Sequence, residues 1–253
     1  METVSSRPSG YQIALGIGMI VAGDVAFGLL WYWELDREWI GALDAPVQQW
    51  MVSDRWDSLN WVATTVSAAA APEVVPFVVL GLSILWVMSS VRSEPESSQN
   101  ARQRVWVKPM VWFSSVMLSS LVVVATKHVV SRARPPVQTM VNGVDSSSSF
   151  PSGHTCVFAT AVLTLALLAT SNSHLRVQLT VFTIAVAASS VVALSRLYLG
   201  YHWLTDTCAS ASIAFGILGV VVTVSSTMDG AERTLGPSAG SPPLEDSSPS
   251  ATG

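Results

Sequence analysis

His202 and Asp206 stand four residues apart, the spacing that puts two side chains on one face of a helix. A carboxylate placed there can hold one imidazole nitrogen and leave the other with its lone pair, which prepares a histidine to act as nucleophile or base. A second histidine closes the run Pro151-Ser152-Gly153-His154. Serine and glycine at a helix start offer a hydroxyl, free N–H groups and the positive end of the helix dipole, and glycine lets the backbone approach an anion closely. Lys127 is followed seven residues later by Arg134-Pro135, and Ser195-Arg196 precedes His202. These three cations, two of them guanidinium forks, match a tetrahedral oxyanion through paired donors. The residue types suit phosphoryl transfer. His202 would attack, Asp206 would orient it, and His154 would protonate the leaving group and later activate water, while Lys127, Arg134, Ser152, Gly153 and Arg196 hold the phosphate. His128 and Arg132, beside Lys127 and Arg134, are second-tier candidates for the distal phosphate of a diphosphate. Any one of these side chains alone reads as an interfacial histidine or a headgroup-binding arginine; their convergence is what points to chemistry.

Convergence needs elements that bring the blocks together. Half of the 253 residues are hydrophobic and 12% are charged, against roughly 25% charged in soluble domains. The apolar content lies in six long runs, near 11–33, 70–91, 108–128, 154–171, 176–196 and 203–226, each long enough for a membrane span of about twenty residues. Continuous runs such as Leu121-Val-Val-Val-Ala125 exclude the alternation of a membrane barrel, so the expected fold is all-α: a polytopic membrane protein built as a six-transmembrane-helix bundle. Each polar block lies at the end of a run: a loop alone joins the first block to the second, and two crossings separate the second from the third. All three therefore emerge on the same side.

The stretch 58–91 exceeds one span and falls short of two. With Pro72 and Pro76 in it, it reads as an interfacial helix leading into a span that begins near Pro72. The predicted division is a cytoplasmic N-terminus over 1–10, a membrane domain over 11–227 with its chemistry in 127–206, and a disordered cytoplasmic tail over 228–253, rich in Ser, Pro and Gly. Residues 93–103 read as a solvated cytoplasmic loop.

Orientation follows from the basic residues. With both termini inside, the cytoplasmic segments hold Arg7, Arg92, Arg102, Arg104, Lys108, Arg176 and Arg233, while the outer loops hold Arg37 and Arg55 beside Glu34, Asp36, Glu38, Asp44, Asp54 and Asp57. That bias predicts an extracytoplasmic site. Seven tryptophans, at 31, 33, 39, 50, 56, 61 and 203, would gather at the same interface as an aromatic belt. The thirteen basic residues form neither a block nor an aromatic-interleaved surface, which excludes nucleic acid as a partner. Cys156 and Cys208 are too few for a disulfide scaffold and too isolated for a zinc site; they read as buried free thiols, or as one disulfide if their helices are neighbours. Asp24 lies in mid-span, where a carboxylate either has a structural partner or proton, or serves substrate or proton traffic. Glu73 could border a lipid entrance, and Tyr198, Tyr201 and Trp203 read as packing or anchoring residues.

The three blocks, Lys127 with Arg134-Pro135, Pro151-Ser152-Gly153-His154, and Ser195-Arg196 with His202 and Asp206, resemble in order and spacing the signature of the type 2 phosphatidic acid phosphatase superfamily. The resemblance covers roughly 105–226. It implies that His202 is the nucleophile, Asp206 its partner and His154 the acid, with Lys127, Arg134, Ser152, Gly153 and Arg196 binding phosphate. Six spans argue against the family's soluble acid phosphatases and haloperoxidases. The implied activity is metal-independent hydrolysis of a lipid phosphate in the cell membrane, through a phosphohistidine and without a cofactor or an obligate protein partner. Short loops and a compact organisation favour a polyprenyl diphosphate of the bacterial envelope as substrate, with phosphatidic acid or phosphatidylglycerophosphate as the alternative. A different class, a noncatalytic protein that binds or transports anionic lipid, would need the cations but not the two histidines and Asp206.

Overall fold

An apolar run in hydrocarbon has to satisfy its backbone hydrogen bonds internally, and the computed structural model has all six runs as helix. It describes residues 9–36, 39–53, 55–93 and 105–235. Among these the chain is all-helical. The spanning helices are α1 (Ser9–Asp36), α4 (Val75–Ser93), α5 (Val107–Val130), α6 (Gly153–Thr170), α7 (Leu175–Tyr198) and α8 (Leu204–Leu235), and two shorter helices, α2 (Asp44–Ser53) and α3 (Asp57–Ala69), lie between α1 and α4.

In α6 and α8, 56% of the apolar window is buried inside the protein, against 11% in α7 and 17% in α1. The first two are therefore the centre of the bundle. Helices α5 and α7 flank α6, α1 packs along α8, and α4 covers α5. Small residues permit the α1–α8 approach: a Cβ added at Gly23 would stand 2.8 Å from Gly216 N and Ser212 O, and one at Gly219 would stand 2.6 Å from Gly16 O. The central core joins Val75, Val79, Trp112, Val116, Val157, Ala161, Leu168 and Val221. Trp112 places its indole there because Nε1 donates to the Ala161 carbonyl at 2.8 Å, leaving no unpaired donor in an apolar interior.

The interfacial helix ahead of the second span is present as α3. The span itself starts later than its expected first residue at 70. Ala71–Val74 form a turn, with Val74 N donating to Ala71 O at 2.9 Å, and α4 begins at Val75 with Pro76 in its first turn, where the missing N–H costs nothing. The outer segment read as loop contains a 3-10 turn at Trp39–Leu43 and the whole of α2. The last helix continues to Leu235, past the domain end expected at 227. The expected N-terminal segment up to residue 8, most of the 93–103 loop and the tail beyond 235 lie outside the described residues.

Helix direction alternates through the bundle, so the C-terminal ends of α1, α5 and α7 and the N-terminal ends of α6 and α8 share one pole. Helices α2 and α3 lie at the same pole. Arg55 Nη1 donates to Thr139 O at 2.7 Å, and Trp56 N donates to Tyr198 Oη at 3.0 Å.

Candidate active site

His202 sits between α7 and α8 and is 1% exposed. Its Nδ1 lies 3.3 Å from Asp206 Oδ2; Asp206 stands in the first turn of α8, but His202 lies two residues ahead of that helix, so the pair forms across the helix start and not along one helical face as the spacing suggested. That oxygen also accepts from Trp203 N at 2.9 Å. With Nδ1–H given to the carboxylate, Nε2 keeps its lone pair, and it faces Arg134 Nη1 at 3.3 Å. Burial, and then the positive charges of Arg196, Arg134 and Lys127, push the His202 imidazole well below its ordinary pKa, so the ring is neutral at physiological pH.

The cations arrive from three elements. Lys127, in the last turn of α5, donates to Ser148 O. Arg134 follows that helix and donates to Tyr201 O at 2.8 Å and Ser147 O at 2.9 Å, while Asp145 Oδ2 lies 2.7 Å from its Nη2. Arg196, in the last turn of α7, is 5% exposed; its Nη1 donates to Ser67 Oγ of α3 at 2.5 Å, and its guanidinium stacks 4.5 Å from the centre of the Tyr201 ring. Its Nε is buried without a protein partner. Beside it is a cavity of about 210 Å³ lined by Thr64, Ser67, Asn142, Leu199 and Tyr201.

Ser152 caps α6: its Oγ accepts from Thr155 Oγ1 at 3.1 Å and, more weakly, from Thr155 N at 3.5 Å, as a serine N-cap does. Ser152 N donates to Asp206 O at 3.3 Å, and Ser210 Oγ donates to Ser152 O at 2.9 Å, so the starts of α6 and α8 are tied together. Gly153 opens α6, and His154 follows in its first turn, half-buried and within electrostatic reach of His202, Arg196 and Arg134. All eight residues expected from the three blocks therefore gather at one pole.

The two second-tier residues do not behave as expected. The Arg132 side chain is taken up by protein. It pairs with Asp206 Oδ1, with Asp44 Oδ2 at 2.7 Å and with Glu34 Oε1 at 3.4 Å, and it donates to Thr205 Oγ1 at 2.7 Å. The His128 side chain is exposed and, among the described residues, has no hydrogen-bond partner. Sequence reasoning missed Glu34 and Asp44, grouped with a solvated acidic loop, and Ser67, grouped with an interfacial helix. A weak signal existed for Asp44, which precedes Ala45-Pro46 as an acid does at a helix start; nothing local marked its partner 88 positions away. Tyr198, Tyr201 and Trp203 pack and anchor as expected, Trp203 Nε1 donating to Ala133 O at 3.0 Å. Cys156 and Cys208 are free thiols.

A helical membrane bundle with paired histidines and converging cations at one pole defines a class of protein, and comparison with known proteins supplies the family. Residues 109–228, which carry the three blocks, match the family model of the PAP2 superfamily. Among solved structures, the fold is similar to that of a transmembrane PAP2-type phosphatidylglycerolphosphate phosphatase from Bacillus subtilis. The TM-score is 0.59 at 19% identity, covering 85% of this chain and 97% of that one. Aquifex aeolicus LpxE aligns with a TM-score of 0.48 at 16% identity, covering 74% and 95% of the two chains. No curated protein sequence matches the chain.

Proposed function

We propose that this multi-pass membrane protein is a lipid phosphate phosphatase working through a phosphohistidine. The observation that carries the reading is the placement of His202, with Nδ1 against Asp206 and Nε2 toward Arg134. A protein that only binds anionic headgroups needs the cations but has no use for an oriented, neutral imidazole among them.

The reaction proceeds in two displacements. His202 Nε2 attacks phosphorus in line, the bond from phosphorus to the lipid oxygen breaks, and His154 gives that oxygen its proton. Water then attacks the phosphohistidine, passing a proton to His154, and releases inorganic phosphate with His202 regenerated. Lys127, Arg134, Arg196 and the N-terminus of α6 oppose the charge that builds on the phosphoryl oxygens, a preorganised electrostatic contribution of several kcal/mol. Side-chain cations do the work here, and turnover is expected to persist in chelator. The site faces the extracytoplasmic leaflet, on the strength of the basic-residue bias, and the lipid tail stays in the bilayer while its headgroup enters.

The engagement of Arg132 with three carboxylates bears on substrate. It removes a residue expected to hold the second phosphate of a polyprenyl diphosphate, and Lys127, Arg134 and Arg196 suit a single phosphoryl group. A lipid phosphomonoester, such as phosphatidic acid or phosphatidylglycerophosphate, is therefore the better-supported substrate. The polyprenyl diphosphate remains a second reading because the unpartnered Arg196 Nε and its cavity leave room beyond the cradle. Phosphate release by the purified chain from phosphatidic acid and from farnesyl monophosphate and diphosphate decides between them. The reading expects faster release from the monoesters, and loss of all release in the His202→Ala variant with the protein still folded; sustained turnover in that variant removes the mechanism.

A further inference from the structure

Arg132 stands two residues before Arg134, outside the groups assigned to phosphate. Its side chain is only 11% exposed, and each of its three nitrogens has a protein partner: Nη1 on Asp206 and Thr205, Nη2 on Asp44, Nε toward Glu34. The guanidinium also lies over the Trp203 ring, 5.8 Å from its centre. Asp44 is itself buried. It accepts from Thr205 N at 2.9 Å through Oδ1 and from Thr205 Oγ1 at 2.8 Å through Oδ2, so the first turn of α8 is fastened to α2 one residue before Asp206.

Asp206 is completely buried, and a carboxylate in that position is costly unless paired and hydrogen-bonded. Its Oδ2 serves His202 Nδ1 and Trp203 N. If that oxygen alone were held, the carboxylate could turn about its terminal torsion, which is soft and broad, and the imidazole would turn with it. Arg132 holds the other oxygen, Oδ1. A planar fork bonded on one arm to Asp206 and on the other to Asp44 fixes direction as well as charge. We propose that Arg132, locked by Asp44, is a positioning residue for phosphoryl transfer, fixing the Asp206 carboxylate in the plane that presents His202 Nε2 to phosphorus. The inference rests on the phosphatase reading above. It makes α2, a segment outside the three blocks, part of the apparatus that aims the nucleophile.

A positioning role predicts a loss in turnover with little change in binding. The full chain in detergent is compared as wild type, R132Q, R132K, D44N and H202A, with kcat and KM for phosphate release and thermal unfolding measured on each. In R132Q, kcat should fall by roughly 100-fold, the cost of misplacing a reacting group by about an ångström. KM should stay within about threefold of wild type, since an interaction that acts on the attacking group leaves ground-state binding intact. R132K should recover part of the lost kcat, and D44N, which keeps the pair between Arg132 and Asp206, should lose about tenfold, as outer partners of a functional ligand do. An unchanged kcat in R132Q overturns the proposal. So does a raised KM at constant kcat, which would make Arg132 a phosphate ligand. So does a parallel fall of kcat and folded protein with no recovery in R132K. Should R132Q not survive purification, D44N decides: reduced kcat at constant KM supports the role, and wild-type kcat refutes it. A wild type that releases no phosphate, or an H202A variant that still does, instead refutes the phosphatase reading and the proposal with it.

Discussion

At the scale of the residue, the proposed reaction makes one demand of His202. His202 has to be unprotonated to attack, and its surroundings enforce this twice over: burial disfavours the imidazolium, and Arg196, Arg134 and Lys127 repel it. Both effects lower the folded-state value, so protonation is resisted until the pH is well under the ordinary 6.5. The ring is then neutral throughout the physiological range and charges only as pH falls through the lowered value. An NMR titration of histidine-labelled protein, with the His202 resonance assigned by its loss in His202→Ala, is expected to show that ring unprotonated at pH 6.5 and titrating below it. A midpoint at or above 6.5 would mean that the ring is not enclosed by the three cations. Asp206 alone cannot supply this environment, since it would favour the charged ring.

At the scale of the element, what could be read from sequence depended on how far apart the cooperating residues lie. The six spans declare themselves because hydropathy is a local property, and their observed ends depart from the expected ones mostly by a few residues. The three blocks were legible for the same reason: each is a short run with its own chemistry, and the even number of crossings between them, none and then two, brings them to one pole. The 34–57 segment was not legible in this way. Its acids resemble any solvated outer loop until the chain folds and Asp44 meets Arg132. Nor does a preference for phosphate ligation in Arg132 survive once three carboxylates surround it. Glu34 reaches that cluster because α1 lies close along α8, and this packing gives a test. At Gly23 an added Cβ would press on Gly216 N and Ser212 O at 2.8 Å, whereas at Gly28 of the same helix nothing lies within 4 Å. Gly23→Ala is expected to lower stability by about 1–3 kcal/mol, the usual cost of overpacking, and Gly28→Ala to leave it near wild type. Thermal unfolding in one detergent compares them directly, and equal melting of the two variants would count against a close-packed α1–α8 seam.

At the scale of the whole molecule, the basic residues that the site does not engage lie mostly at the pole opposite it, and this bias carries the proposed orientation. The pole with His154 and His202 also holds Glu34, Asp44, Asp57 and Asp145. At the opposite pole lie Arg92 in the last turn of α4, Lys108 in the first turn of α5, where its Nζ donates to Ser171 Oγ at 2.7 Å, and Arg176 in the first turn of α7. Basic residues close to span ends are retained on the cytoplasmic side, so the site should open to the other leaflet and draw its lipid from there. The loop between α5 and α6 provides a reporter, since Val144 is 67% exposed at the site's pole; Asn172, exposed in the turn between α6 and α7, reports on the other. In a chain with Cys156 and Cys208 replaced by alanine, a membrane-impermeant maleimide is expected to label Val144→Cys in intact cells and Asn172→Cys only after permeabilisation. The reverse pattern would turn the active site toward the cytoplasm, leaving the chemistry of His202 and His154 in place but supplying it from the inner leaflet.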